Sequence, residues 1–266
     1  MLDHYNRHIT YLRISVTDRC NLRCQYCMPE EGIKSLPHNE ILTFDEIVDV
    51  AREAVSLGVN KIRLTGGEPL VRRGIVELVR MIAQIKGITD FGMTSNGIVL
   101  KQFAQQLKDA GLQRINISLD TLNTHKFREL TRGGELAQVL EGIDAAKAAG
   151  LHPIKINCVI KKSSQEPDAQ QVKAFAEQNG LQVRFIHQMD LEKGEFSVVE
   201  GGEGGNCAIC NRLRLTANGY INPCLFNEAG FSVRQMGVRQ AILAAVDAKP
   251  KCGSHNHSGE FYNIGG

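Results

Sequence analysis

Residues 11–27 read Tyr11-Leu12-Arg13-Ile14-Ser15-Val16-Thr17-Asp18-Arg19-Cys20-Asn21-Leu22-Arg23-Cys24-Gln25-Tyr26-Cys27. The first six alternate as a strand does, with Leu12, Ile14 and Val16 on one face and Tyr11, Arg13 and Ser15 on the other. A cysteine-rich loop follows at once. Residues 44–57 then carry the apolar spacing of an amphipathic helix, with Thr43 as N-cap and Asp45 and Glu46 in the first turn. The unit repeats outward along the chain. Strand patterns fall at 61–65, 91–95, 114–118, 154–160 and 183–186, and helix patterns at 75–85, 101–110, 136–149 and 170–178. Gly58, Gly111, Gly150 and Gly180 stand where the helices should stop. Six strand-then-helix steps predict an α/β fold with a parallel sheet and right-handed crossovers. They are too few for a closed eight-fold barrel, which leaves an open partial barrel or a doubly wound sheet.

The pattern changes after residue 190. Residues 192–206 are rich in Gly and Glu and read as a linker. Asn218-Gly219 between strand-like runs at 212–216 and 220–224 predicts a hairpin. Residues 233–246 read as a helix and the last twenty as a tail. The expected division is 10–190 for the α/β unit and 191–266 for the remainder.

With 31 Lys and Arg against 29 Asp and Glu, the net charge is +2. That balance argues against a nucleic-acid binder read from bulk charge. No run of apolar residues is long enough for a membrane span, and Met1–Arg7 lacks the apolar core of a signal peptide. The expected location is the cytoplasm, where thiols stay reduced. Eight cysteines in such a compartment call for metal binding or catalysis.

Cys20, Cys24 and Cys27 form CxxxCxxC. Three thiolates so close suit three corners of a cubane iron–sulfur cluster, and no fourth ligand for a tetrahedral zinc stands nearby. Cys207 and Cys210 form a CxxC, and the predicted hairpin returns Cys224 toward them. On spacing alone this second set could be a cluster, a zinc knuckle or a reactive dithiol. Cys158, on the apolar face of its strand, reads as a core thiol. Cys252, in Lys251-Cys252-Gly253-Ser254-His255-Asn256-His257, could bind a metal, but it reads better as part of a mobile polar tail.

The strands carry an independent signal. Arg13, Lys61, Arg63, Arg114, Lys155, Arg184, Arg212 and Arg214 all fall on the polar parity of their strands, opposite the apolar face that packs on helices. Buried cations in such a ring are costly without an anionic guest. A triphosphate would offset that cost through charge-assisted contacts, with Glu68 and Asp120 pairing some of the ring.

Residues 12–20, the CxxxCxxC with Met28-Pro29, and Thr65-Gly66-Gly67-Glu68-Pro69 resemble the radical S-adenosylmethionine superfamily. More narrowly, with Cys207-Ala208-Ile209-Cys210, Asn211–Thr216 and Pro223–Phe226, they resemble its GTP 3′,8-cyclase family of molybdenum cofactor biosynthesis. The resemblance implies a partial (β/α)6 TIM barrel and a small C-terminal hairpin and helix segment. It implies two [4Fe-4S] clusters, on Cys20, Cys24 and Cys27 and on Cys207, Cys210 and Cys224, the second binding guanine at its open iron. It places S-adenosyl-L-methionine against Tyr26, Gly66, Gly67, Glu68, Ser118 and Met189. GTP would meet Arg13, Arg63, Thr94, Lys155, Arg212 and Arg214, with Lys61 and Arg184 beside the phosphates. Arg13, Lys61, Arg63 and the terminal Gly265-Gly266 would reach into the active site. The implied reaction takes hydrogen from ribose C3′ with a 5′-deoxyadenosyl radical and joins C3′ to guanine C8, giving 3′,8-cyclo-7,8-dihydro-GTP.

The implied partners are GTP, a one-electron donor of flavodoxin or ferredoxin type, and an enzyme that consumes the cyclised product. A homodimer is compatible with the resemblance. Between Met189 and Cys207 the family has a longer insert, and here only the short Gly/Glu stretch stands. Two other readings stay open from the residues. One is the same radical chemistry on another nucleotide or a peptide, and the other is a non-catalytic iron–sulfur or zinc protein.

Overall fold

The computed structural model describes residues 1–256, so Gly265 and Gly266 lie outside the described residues. Six strands run in chain order as β1 (Tyr11–Ser15), β2 (Lys61–Thr65), β3 (Asp90–Ser95), β4 (Arg114–Ser118), β5 (Ile154–Ile160) and β6 (Gln182–His187). Each pairs in parallel with the next. Helices α1 (Phe44–Ser56), α2 (Ile75–Ala83), α3 (Leu100–Asp109), α4 (Thr124–Thr131), α5 (Leu136–Ala148) and α6 (Pro167–Gln178) form the crossovers. The sheet is open, in the order β6-β5-β4-β3-β2-β1-β7-β8-β9, so the architecture is a partial barrel.

The last three strands are β7 (Arg212–Leu215), β8 (Tyr220–Asn222) and β9 (Phe231–Ser232). β7 pairs in parallel with β1, and β8 and β9 add antiparallel. The predicted hairpin therefore exists, and it extends the main sheet at its β1 edge.

Local chemistry explains the ends. Thr43 and Glu46 close a reciprocal capping box on α1, with Glu46 Oε2 accepting from the Thr43 amide at 2.7 Å. Gly58, Gly111, Gly150 and Gly180 all have positive φ, as a helix-ending residue requires. The apolar parity of the strands is buried, with Leu12, Ile14, Ile62, Leu64, Ile115, Ile117 and Ile156 at 0–1% exposure. It packs against Ile47, Val50, Leu78, Ile82, Leu107, Val139, Ile143 and Val172 of the helices. Each such side chain contributes about 1.5–3 kcal/mol when fully buried.

Three expectations change. α4 is not announced by apolar spacing, because only Phe127 and Thr131 of it are buried; Asn123 caps it instead. The helix expected at 233–246 is two, α7 (Val233–Met236) and α8 (Val238–Asp247), broken where Gly237 takes φ 83°. The stretch from Lys249 to Asn256, expected as tail, is anchored instead, with Lys249 and Asn256 3% and 1% exposed.

Candidate active site

Strand register assembles the basic residues. Arg13 stands level with Arg63 on one side and Arg214 on the other. One row below, Tyr11 stands level with Lys61 and Arg212. On the far half of the sheet, Asn116 is level with Lys155 and Asn157 with Arg184. All of these line one cavity of about 520 Å³, together with Cys207, Cys210 and Cys224. The Gly/Glu stretch is more than a spacer, since Phe196, Val199 and Gly201–Gly205 wall the same cavity.

The electrostatics are those of a site built for an anion. Arg63 is 2% exposed, and its Nε and Nη1 have no hydrogen-bond partner among the described residues; the same holds for Nε of Arg212 and Oγ1 of Thr94. Burial, with Arg114 and Arg13 adding to it, pulls Arg63 down to about 10. Burial likewise lowers Arg214 to about 9, with Arg13 and Arg212 contributing. Lys155 falls to about 8 through burial and then Arg184, Arg114, Lys61 and Arg63. Tyr11 reports the same field from the other side. Burial would raise its phenol, but Arg13, Arg63, Arg212 and Lys61 together bring it to about 7. Lys61 Nζ lies 4.9 Å from the centre of its ring.

The expected acid partners are elsewhere. Glu68 accepts from the Asn96 amide (2.7 Å), Ser95 Oγ (2.9 Å) and the Leu70 amide (3.0 Å). Asp120 accepts from Tyr26 Oη (2.7 Å) and the Val159 amide (2.8 Å). One acid that meets the ring is Asp90, bound by Arg114 Nη2 at 2.7 Å and Lys61 Nζ at 3.1 Å. Burial raises its carboxyl, and Arg114 and Lys61 outweigh that and hold it below the usual carboxylate value.

A second cavity of about 200 Å³ holds Cys20, Cys24, Cys27, Tyr26, Gly66, Gly67, Glu68, Thr94, Ser118 and Met189. The strand-end loops bring these together. Cys27 and Met28 donate their amides to Cys24 O, a tight turn that sets the cysteines on one loop. Asn96, which the motifs do not single out, donates toward Cys20 Sγ at 3.8 Å. The two glycines are required by the chain itself. A Cβ on Gly67 would stand 2.3 Å from Arg19 O, and one on Gly66 would stand 2.6 Å from Thr17 O. The turn is held there by Gly67 N–H to Thr17 O and Glu68 N–H to Arg19 O, both 2.8 Å. Burial pushes Glu68 up to about 7 against its three hydrogen bonds. Asn157, Ile186 and Met189 line both cavities, so the two share a wall.

The thiols fit a cluster better than a lone ion. All eight cysteines are free. Burial and then Cys20 and Asp120 raise Cys27 to about 11, and Cys24 rises through burial, Cys27 and Asp120. Three half-buried thiols, whose ionised forms repel one another, gain from a cation that displaces their protons. Among the described residues, no three His, Cys, Asp or Glu side chains close on one ion position. A cubane spreads its thiolates over separate irons, whereas zinc gathers them on one.

Three thiols after the first strand of an open parallel barrel, beside a Gly-Gly-Glu turn after the second, define a radical S-adenosylmethionine protein. The Radical SAM superfamily profile matches residues 14–175. A protein named GTP 3′,8-cyclase from Thermodesulfovibrio yellowstonii is 39% identical over 305 aligned positions, covering 94% of this chain and 95% of that one. Another from Pelotomaculum thermopropionicum is 44% identical, with 94% of each chain covered. The chain belongs to the GTP 3′,8-cyclase family of the radical SAM superfamily. Those 305 positions hold only 94% of a 266-residue chain, so the relatives carry tens of residues opposite gaps here. The fold is also that of SuiB from Streptococcus suis bound to S-adenosylmethionine, with TM-score 0.63 and 16% identity over 94% of this chain and 66% of that one. No helix among the described residues is long and apolar enough to cross a membrane.

Proposed function

We propose that the protein is a GTP 3′,8-cyclase acting in molybdenum cofactor biosynthesis. The observation that carries this reading is the shared wall between a thiol-lined cavity and a cationic one, with buried Arg63 offering N–H groups that no described residue accepts. Cys20, Cys24 and Cys27 would hold the first [4Fe-4S] cluster. When reduced, that cluster with S-adenosyl-L-methionine supplies a 5′-deoxyadenosyl radical as hydrogen-atom acceptor. Tyr26, Gly66, Gly67, Glu68, Ser118 and Met189 would enclose the methionine and adenosine groups. Glu68 is fixed by its hydrogen bonds and cannot swing away from the turn.

Arg13, Lys61, Arg63, Lys155, Arg184, Arg212 and Arg214 would hold the triphosphate, with Thr94 at the ribose end. This fixes the nucleotide before any bond breaks, so that C3′ and C8 of GTP meet as one oriented pair. Cys207, Cys210 and Cys224, which line the same cavity as the cations, would hold a second [4Fe-4S] cluster that would bind the guanine. On this assignment residues 10–190 generate the radical, and 191–266 complete the substrate site. Thiolate-held iron calls for a reducing compartment, the cytoplasm, and a one-electron donor. A following enzyme would rearrange the cyclised product.

The test is anaerobic incubation of reconstituted protein with reductant, S-adenosyl-L-methionine and GTP, read by mass spectrometry. The expected products are 5′-deoxyadenosine and 3′,8-cyclo-7,8-dihydro-GTP in step. Abundant 5′-deoxyadenosine with GTP unchanged would overturn the substrate assignment, and a panel of other nucleotides would then locate the substrate.

A further inference from the structure

The strap after α8 is built onto the second cysteine set. Lys249 is 3% exposed and donates to Arg212 O (2.7 Å) and Pro223 O (2.6 Å). Its ammonium also lies close enough to Cys210 to act on that thiol. Arg7, itself clamped to Asp3 at 2.7 Å, donates to Pro250 O (2.7 Å), Lys251 O (3.1 Å) and Cys207 O (2.7 Å). Beyond the bend, the Ser254 amide reaches Phe226 O at 3.0 Å, and the Asn256 amide reaches Leu191 O at 2.8 Å. Between these anchors, the Gly253 backbone passes beside the Cys207 thiol. Cys252 Sγ stands 3.1 Å from Cys207 Sγ. Gly253 passes so close to Cys224 that a Cβ there would stand 3.2 Å from its sulfur. The strap thus touches all three cysteines of the motif and brings a fourth.

We propose that Cys252 is the fourth thiolate of the second iron–sulfur centre in the substrate-free protein. This rests on the reading above that Cys207, Cys210 and Cys224 hold a cluster. Four thiolates, each releasing its proton as it binds iron, leave no iron open. The site is then coordinatively closed until the strap gives way, unlike the open iron that three cysteines would leave. The added negative charge has compensating cations in place, since Lys249 acts on Cys210 and Cys224, Arg212 on Cys210 and Arg214 on Cys224. A four-cysteine cluster also resists the loss of one iron that oxidation provokes in a three-cysteine cluster.

The experiment uses the full chain, reconstituted with iron and sulfide and free of GTP. Iodoacetamide labelling of Cys252, read by peptide mass spectrometry, is expected to slow at least about tenfold between apo- and holoprotein, because an iron-bound thiolate is not free to react. Mild ferricyanide oxidation, followed by paramagnetic resonance, counts [3Fe-4S] centres formed when a cluster gives up one electron and one Fe²⁺. Roughly one per chain is expected with Cys252 present, from the first cluster, and roughly two in Cys252→Ser. Equal labelling rates, or two such centres in both proteins, would overturn the proposal while leaving the second cluster standing. Iron content unchanged by joint replacement of Cys207, Cys210 and Cys224 with alanine would overturn the second cluster itself, and the proposal with it.

Discussion

Replacing Arg63 with methionine should stabilise the empty protein while weakening its hold on nucleotide. The guanidinium is 2% exposed and sits level with Arg13 on β1. Its folded pKa is pulled from 12.5 to about 10, mainly by burial. At 1.36 kcal/mol per pKa unit, that gap makes charged Arg63 cost the empty fold about 3 kcal/mol. The folded value lies below the unfolded one, so the cost applies at every pH below about 10, neutral pH included. Methionine keeps an unbranched apolar stem in the same slot and removes the charge. After relaxation, a net gain of about 1–3 kcal/mol is expected, or about 2–10 °C in melting temperature for a chain of this size. Binding should move the other way. Losing a charge-assisted contact of about 1.5–3 kcal/mol weakens GTP about 10- to 150-fold. Differential scanning calorimetry of the apoprotein and titration calorimetry with GTP read the two effects separately. A lower melting temperature together with an unchanged GTP affinity would refute the reasoning. It would make Arg63 a structural cation with partners of its own.

Three further outcomes follow from the same geometry. Gly67→Ala forces a methyl to 2.3 Å from a backbone oxygen, which should cost about 1–3 kcal/mol by overpacking. It should also lower iron loading at Cys20, Cys24 and Cys27, measured as iron per chain; full loading with unaltered stability would contradict it. Tyr11 should titrate near pH 7 in the apoprotein, visible as phenolate absorbance that Tyr11→Phe removes. Its folded pKa lies below the unfolded one, so its share of stability is present at high pH and fades as pH falls through 7. Bound triphosphate should push the titration back toward pH 10, and no shift would deny that the anion sits among these cations. Glu68 has the opposite sign. Its folded pKa of about 7 exceeds the unfolded value, so it favours the fold at acid pH and loses up to about 3 kcal/mol of that as pH rises from about 4.5 to 7. Urea titrations across that range should show the slope in the wild-type apoprotein and not in Glu68→Gln.

The cationic ring was legible because a strand has a period of two and parallel neighbours keep a regular register. Parity alone puts Arg13, Arg63 and Arg214 on one face, and the structure then sets them level. Asp90 was not legible for the complementary reason. It opens β3 one residue earlier than the apolar pattern begins, and its role depends on register with Lys61. Gly66 and Gly67 could be read as important, but not why, since Thr17 and Arg19 meet them only through tertiary folding. Cys252 could be read only as a tail residue or a metal ligand without named partners. Its partner lies 45 residues away, reached through a strap whose own Lys249 and Asn256 bind Arg212 and Leu225 and which Arg7 holds from the N-terminal segment.

Ligands of α/β sheets gather at the carboxyl ends of the strands, and the thiols and the Gly-Gly-Glu turn obey that rule here. The cations do not. Lys61, Tyr11 and Arg212 open their strands, and Arg63, Arg13 and Arg214 sit at mid-strand. From residue 61 to residue 65 a strand climbs about 13 Å. The charge-bearing pole of the site therefore runs from about 7 to about 13 Å below the radical-bearing pole, within one sheet face. A compact anion would satisfy one pole and leave the other empty. The shape that fills both is elongated, with a polyanionic tail reaching down the barrel and an uncharged reacting end beneath the shared wall of Asn157, Ile186 and Met189.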